Sequence, residues 1–299
     1  MNTPLHISVE KVELLQDFPS GSAMEFFNDQ IYLMGDDARH ILIMDKAYKP
    51  VYNITMFPGT EKRIEKKVKA DIEASAIITY KNNSHLLILG SASKSQRERV
   101  FLFALPAHNK SEYQTFDTDD FTDRLKDMAV AEVNIEGSAA VGNQLIMSNR
   151  GNKTNPDNLL FITDSNFFDH QDNAHIHIIK VQLPQEYFPI GISSLSYIPA
   201  NDLLFFSASV ELTANAYDDG GIGDSYIGYI KNISAKLQNE TITPDALVNL
   251  TETDAGFKGQ KIESLCFEKV EGNVLTAHLV SDNDLGESTL FKIQMEIAS

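Results

Sequence analysis

The sequence predicts an all-β chain, a five-bladed β-propeller that its own N-terminal strand closes into a ring. Three observations carry this. Apolar runs are mostly four to eight residues long, bounded by polar or turn residues, and rich in Ile, Leu, Val and Phe, which is a strand length rather than a helix length. The runs recur in a fixed order of opening, turn, strongly apolar strand, third strand and variable fourth. Short openings of small residues recur five times along the 299 residues, and recurrence at such a period is the signature of a repeat architecture.

Along the chain, HISVEKVELL at 6–15 precedes the first unit as an unassigned strand. The first unit opens with Ser20-Gly21-Ser22-Ala23-Met24 and continues with QIYLMG (30–35) and HILIMD (40–45). The second opens with Ile72-Glu73-Ala74-Ser75-Ala76, followed by HLLILG (85–90) and RVFLFAL (99–105). TDDFTDRLKDMAV at 118–130 is the clearest helix, with Phe121, Leu125 and Met128 on one face and acidic residues at its start. Unit three opens with Ile135-Glu136-Gly137-Ser138-Ala139 and runs through QLIMS (144–148) and NLLFITD (158–164). Unit four opens with Ile192-Ser193-Ser194-Leu195-Ser196 and has DLLFFS (202–207). Unit five opens with Ile262-Glu263-Ser264-Leu265-Cys266 and stops after TLFKIQM (289–295), short of a fourth strand. The strand at 6–15 is expected to fill that place, which removes an exposed edge and locks the ring.

Aligning Ser20, Glu73, Glu136, Ser193 and Glu263 gives spacings of 53, 63, 57 and 70 residues; Ser22 is an alternative to Ser20. Six blades are possible if the divergent stretch 208–260 hides one. A β-sandwich explains the alternating strands but not the recurring Ile-Glu-small opening. No linker interrupts the chain, so residues 1–299 read as a single domain.

The formal charge is -17, from 25 Lys+Arg and 42 Asp+Glu. Such a field repels phosphate, so no nucleic-acid partner is expected, while cations are compatible with it. One cysteine, Cys266, excludes an intrachain disulfide framework, and its apolar setting marks it as a buried structural thiol. The N-terminus is not a secretory signal, and no apolar run has the length of a membrane span. A soluble, cytoplasmic protein with no membrane partner is expected; periplasmic or secreted is the alternative if a signal was removed before numbering began.

In a propeller the first strand of each blade lines the axis, so equivalent residues converge on one ring. Glu73, Glu136 and Glu263 would then bring three carboxylates together. They cannot all stay ionised without compensation from a hard cation, a basic side chain or protonation. Ca²⁺ suits such a set because it accepts carboxylate, carbonyl, hydroxyl and water oxygens with loose geometry; Mg²⁺ would need a more regular octahedron. The structural alternative is that these glutamates cap backbone N–H groups or pair with Arg and Lys.

A second polar set closes the second strands: Asp36 and Asp37, Ser91 and Ser93, Asn149 and Arg150, Glu211, and Asp282 and Asp284. These would share the loop face of the disc, where a small molecule or protein partner would dock, with Arg150, Asn149, Asp36, Glu211 and Asp282 as candidate ligand-binding residues. Arg150 either neutralises Glu136 or binds an anion. Asp282-Asn283-Asp284 and Asp218-Asp219-Gly220-Gly221 look like cation loops but do not match the EF-hand spacing. His175 and His177 alternate on a strand without a third zinc ligand, and His278 is expected to be buried and hydrogen-bonded. The basic run EKRIEKKVK at 61–69 reads as a solvated interblade loop. No nucleophile elbow, P-loop or dinucleotide fingerprint occurs, so no organic cofactor is expected.

The openings NIEGSAAV, DIEASAII and KIESLCFE resemble those of phytase-like and "esterase-like activity of phytase" propellers. They also resemble an uncharacterised bacterial propeller family built on repeated Ile-Glu-Gly/Ala openings and, more distantly, five-bladed calcium-dependent apyrases. The resemblance implies that Glu73, Glu136 and Glu263 face the channel and hold a divalent cation. The chain departs from it at Ser20 and Ser193, where carboxylates are missing. Two functions follow: a scaffold that binds a small molecule or protein over an acidic channel, or a divalent-cation-dependent hydrolase of phosphoesters or carboxylic esters acting at the channel mouth. The residues leave open whether the protein is an enzyme.

Overall fold

The computed structural model describes residues 5–184, 189–211, 222–282 and 286–298. Within them the strands form five small sheets. Blade 1 is built from Gly21–Phe27, Gln30–Gly35, His40–Asp45 and Pro50–Thr55. Blade 2 has Ile72–Tyr80, Asn83–Gly90, Arg99–Ala104 and Tyr113–Asp117. Blade 3 has Ile135–Val141, Gln144–Asn149, Asn158–Asp164 and His177–Val181, with Thr241–Ile242 added in parallel at its outer edge. Blade 4 has Ile190–Ile198, Leu203–Glu211, Ile222–Lys231 and Ala246–Asn249. Blade 5 has Lys261–Glu271, Val274–Asp282 and Ser288–Ile297, and the N-terminal strand Leu5–Leu15 pairs antiparallel with the last of these as the outer edge. The stretch 208–260 thus completes blade 4 and extends blade 3, and the ring has five blades.

The first strands of adjacent blades touch in cyclic order, 1 to 2 to 3 to 4 to 5 and back to 1. Each carries a register shift against its neighbour at the same place, at Ser22, Glu73, Glu136, Ser193 and Glu263. A β-bulge inserts one unpaired residue and re-aims its side chain. The equivalent residue in blade 1 is therefore Ser22 rather than Ser20. The residue after each bulge is Ala23, Ala74, Gly137, Ser194 or Ser264, which is small because the five strands crowd together there. At Gly137 a Cβ would lie 2.6 Å from Ser194 Cα and 2.7 Å from Leu195 N in the next blade's strand. That close approach is the physical reason for the recurrent small residues.

Five apolar clusters fill the ring, one for each pair of neighbouring blades. Leu87 and Phe161 meet between blades 2 and 3, Ile162 and Phe206 between 3 and 4, and Phe205 and Phe291 between 4 and 5. Polar staples supplement them. The residue before the bulge donates its N–H to a side chain at the start of the preceding blade's third strand: Gly21 to Ser288 Oγ (2.8 Å), Ile192 to Asn158 Oδ1 (2.8 Å) and Ile262 to Ser225 Oγ (3.0 Å). The predicted helix forms over Asp119–Asp127 and buries Phe121 and Leu125 between blades 2 and 3. Met128, at its C-cap, is exposed, because the helix ends before that residue can turn inward.

Because Gly137 abuts a strand backbone and not a flexible side chain, Gly137→Val should overpack the axis. The expected loss is about 1–3 kcal/mol, read as a lower denaturant midpoint at unchanged slope.

Candidate functional site

Two networks of buried charge lie at the bulge end of the channel. The first is centred on Arg150. Its Nη1 donates to Glu136 Oε2 at 3.2 Å and stands 3.8 Å from Glu263 Oε2, while Nη2 reaches Glu211 Oε2 at 3.1 Å and Ser209 Oγ at 2.9 Å. Lys261 Nζ contacts Glu211 and Glu263, each at 2.9 Å. The inner-strand glutamates and the loop-face residues Arg150 and Glu211 thus form one assembly. Asn134 Nδ2 donates to Glu136 Oε1 at 2.6 Å, and Asn149 holds that segment by accepting from Asn134 N at 2.7 Å. Asn149 therefore shapes the loop, with both ends of its amide engaged by backbone.

The second network is centred on Asp71 and Lys69. Asp71 Oδ2 accepts from Arg97 Nη1 at 2.5 Å and from Ser91 Oγ at 2.6 Å, and Oδ1 lies 2.8 Å from Lys69 Nζ. Lys69 Nζ also donates to Asp36. Ser93 Oγ lies 2.9 Å from both Ser91 Oγ and Arg97 Nη1. Asp37 pairs with Arg63 Nε at 2.5 Å. Asp36, Asp71 and Glu73 each offer a carboxylate oxygen, all within 4.8 Å of one another. Among the described residues Glu73 takes part in no hydrogen bond or ion pair. Asp36 Oδ1 and Glu263 Oε2 are buried and accept no hydrogen bond.

The electrostatics follow from burial. Glu73 is raised well above its ordinary value by burial, then by the charges of Glu136, Asp71 and Asp36, against partial relief from Lys69. Burial also raises Glu136 to about 7, although Arg150 and Lys261 oppose the shift. Asp36 is raised to about 7 by burial and by Asp37 and Asp71, again with Lys69 opposing. On the cationic side burial disfavours charge, but Glu136, Glu211 and Glu263 hold Arg150 above its usual value, and Asp36, Asp71 and Glu73 do the same for Lys69. Asp36, Asp37, Asp71, Glu73, Glu136, Glu211 and Glu263 make seven carboxylates against the five cations Arg63, Lys69, Arg97, Arg150 and Lys261. Asp282, opposite Lys261 in the strand pair and acting on Arg63, adds to the excess.

Ser22 and Ser193, the two bulge residues without carboxylates, are tied to the frame: Ser22 Oγ donates to Ile72 O at 2.5 Å and Ser193 Oγ lies 3.5 Å from Ser209 Oγ. Lys69, Asp71, Arg97 and Lys261 were not singled out from the sequence. The signal for two of them is positional, since Asp71 and Lys261 both stand two residues before a bulge glutamate. Lys69 ends a run of alternating Lys and Glu that has the pattern of a solvated loop, and only the tertiary structure buries it. Asp284 and Asp218-Asp219-Gly220-Gly221 lie outside the described residues. His175 and His177 are engaged locally, through His175 N to Asp164 and His177 Nε2 to Asn239 O. His278 is buried between Tyr48 OH (2.9 Å) and Glu268 (3.0 Å), and Cys266 is a buried free thiol that burial holds protonated.

These shifts carry a definite sign. Glu136 and Asp36 have folded values near 7 against 4.5 and 3.8. Their contribution is complete below the lower values and is lost as pH rises through about 7. His278, lowered to about 4, acts oppositely but only below its ordinary 6.5. Stability should therefore fall between about pH 4.5 and 7, with His278 offsetting part of the fall below 6.5, and level off above. Arg150→Met should cost about 3–5 kcal/mol by stranding buried carboxylates and should steepen that fall; adding Glu136→Gln and Glu211→Gln should recover most of the loss. Denaturant titrations across this pH range measure all three.

Residues 17–295 match the family described as "Family of unknown function (DUF6929)". No curated protein matches the sequence. Among solved structures, glutaminyl cyclase from Myxococcus xanthus is similar, with a TM-score of 0.56 and 10% identity over 99% of this chain and 98% of that one. A duf4221 family member from Bacteroides vulgatus aligns over 100% of both chains at 10% identity and a TM-score of 0.44. A putative exported protein from Bacteroides fragilis aligns over 99% of this chain and 96% of that one at 9% identity and a TM-score of 0.45. At such identities the glutaminyl cyclase likeness speaks for the fold alone. Among the described residues no helix is long and apolar enough to cross a membrane. The family match spans the ring from the residues before blade 1 into the last strand of blade 5, and the chain belongs to DUF6929, a family of unknown function.

Proposed function

We propose that the protein is a binding propeller whose acidic channel mouth takes up a cation beside Glu73, on the face where a small molecule or protein partner docks. The observation that carries this is the position of Glu73: the neighbouring carboxylates are in ion pairs, whereas Glu73 is in none among the described residues and is relieved only in part, by the more distant charge of Lys69. The carboxylate excess and the buried Asp36 Oδ1, which accepts no hydrogen bond, point the same way. Ca²⁺ suits the irregular set of Asp36, Asp71 and Glu73 better than Mg²⁺, whose octahedron is less forgiving. Lys69 already bridges Asp36 and Asp71, so an entering cation shares those oxygens with the ammonium or displaces it.

The hydrolase is the second reading. It draws support from the 4.8 Å grouping of Asp36, Asp71 and Glu73 and from the resemblance of the Ile-Glu openings to phytase-like propellers. A cation there would polarise an ester and lower the pKa of bound water. Against it stands the neutralisation of Glu136 and Glu263 by Arg150 and Lys261, which leaves few carboxylates for a Lewis acid.

Cation uptake stabilises the native state by about 2.7 kcal/mol at a hundred times Kd. The melting temperature at pH 8 should thus rise with Ca²⁺ by several degrees, and Glu73→Gln should abolish the rise. No shift with Ca²⁺, Mg²⁺ or Mn²⁺ in the parent protein refutes cation uptake. Cation-stimulated turnover of p-nitrophenyl phosphate or acetate, lost in Glu73→Gln, would replace the binding role with the hydrolytic one.

A further inference from the structure

The other end of the channel is chemically different. Glu25 lies three residues beyond Ser22 along the inner strand of blade 1, about 10 Å further on for an extended chain. There the five inner strands line an open-mouthed cavity of about 230 Å³. Glu25 and Phe26 come from blade 1, Ala76 and Ile77 from blade 2, Ser138 to Ala140 from blade 3, Leu195 to Tyr197 from blade 4, and Cys266 and Phe267 from blade 5. Glu25 is the only carboxylate in this lining, and no lysine, arginine or histidine among the described residues contributes to it. Among the described residues its one hydrogen bond comes from Ser75 Oγ at 3.2 Å. Ser138 Oγ, on a residue only 2% exposed, has no hydrogen-bond partner.

We propose that this cavity is a binding site for a small organic ammonium ion, with Glu25 as the counter-charge, Ser138 Oγ as a hydrogen-bond acceptor, and Phe26, Tyr197 and Phe267 as the apolar and aromatic wall. A carboxylate with a hydroxyl and aromatic faces is the group set that recognises alkylammonium ions, because the ring faces attract positive charge while covering the alkyl body. A bare metal ion is a poorer match, since the wall offers few oxygens and is mostly apolar. The volume lies below the ~300–1,000 Å³ of sites for drug-sized ligands, which restricts the occupant to a short-chain amine. The overall charge of -17 draws cations toward either mouth.

Burial raises Glu25 to about 8, with the Ser75 hydrogen bond opposing, so the empty site holds a neutral acid at pH 7. An ammonium ion that pairs with the carboxylate must therefore expel a proton. The other titratable groups at this end are the Cys266 thiol, raised by burial and then by Glu25 and Glu268, and the Tyr197 phenol, raised by burial and then by Asp202. Behind Cys266, His278 pairs with Glu268, which also holds Lys292. Cys266 and Tyr197 stay protonated below pH 8, and His278, lowered to about 4, stays neutral. Glu25 is thus the group that titrates at this site between pH 6 and 8.

The test is calorimetric titration of the full chain with ethylammonium, n-butylammonium and tetramethylammonium chloride at pH 6.5, 7.5 and 8.5. Millimolar or tighter binding is expected. It should tighten by up to about tenfold per pH unit until near pH 8, with proton release visible as a dependence on buffer ionisation enthalpy. Glu25→Gln, which mimics the protonated acid and should fold normally, is expected to weaken binding at least tenfold at pH 8.5. Ala140→Phe should block it by filling the cavity, and Glu73→Gln should leave it intact. Absence of binding by all three ions, or affinity indifferent to both pH and Glu25→Gln, would overturn the proposal. Loss of binding in Glu73→Gln but not in Glu25→Gln would place the amine at the bulge end instead. Should Glu25→Gln fail to fold, the pH profile and proton release of the parent protein decide alone.

Discussion

Five strands meeting at one axis is the constraint on which the rest of this structure depends. Backbones that approach as closely as Gly137 and Ser194 leave no room for large side chains at the point of convergence. Small residues therefore follow the bulge in every blade, and the bulge itself re-aims one side chain per blade. The apolar clusters between blades and the serine and asparagine staples hold the five copies in rotational register. Closure by Leu5–Leu15 leaves the ring with no open first-to-last seam. Without that geometry the glutamates would be scattered surface acids.

Concentrating carboxylates at a low-dielectric hub is unfavourable unless positive charge arrives with them. This chain brings most of that charge itself. Arg150 spans three glutamates as a planar fork, Lys261 closes the same group from the next inner strand, and Lys69 bridges two aspartates. The ring's carboxylates are mostly satisfied by side chains, and Glu73 is the one of them that enters no ion pair among the described residues. The two ends of the channel differ in kind. One is a charged lattice of ion pairs; the other is an apolar cup with a single acid and a single unsatisfied hydroxyl.

How much of this was legible beforehand differs residue by residue. Glu73, Glu136 and Glu263 stood out because each sits in an Ile-Glu-small opening, and Arg150 because it interrupts a polar turn at an equivalent strand end. Lys69 was hidden in a run of alternating Lys and Glu that looks solvated. Its burial depends on Asp36 and Asp71 coming from two different blades, which no local pattern records. Ser20 and Ser22 were ambiguous because both are small and near the opening, and the choice falls to the register shift between Gly21 and Ala23. Glu25 carried no signal at all. It lies in the least regular opening, and its importance comes from neighbours contributed by the other four blades.

The sequence by itself determined the strand content, the closing role of the N-terminal strand and the recurrent openings that carry the converging glutamates, while leaving the ring at five or six blades. It could do so because side-chain period, segment length and recurrence are local properties that survive in one dimension. Tertiary structure alone decided which charges pair, which carboxylate is left over, and that a second and chemically distinct cavity lies beyond the hub. Those outcomes depend on distances between blades and on desolvation, and both exist only once the ring has closed.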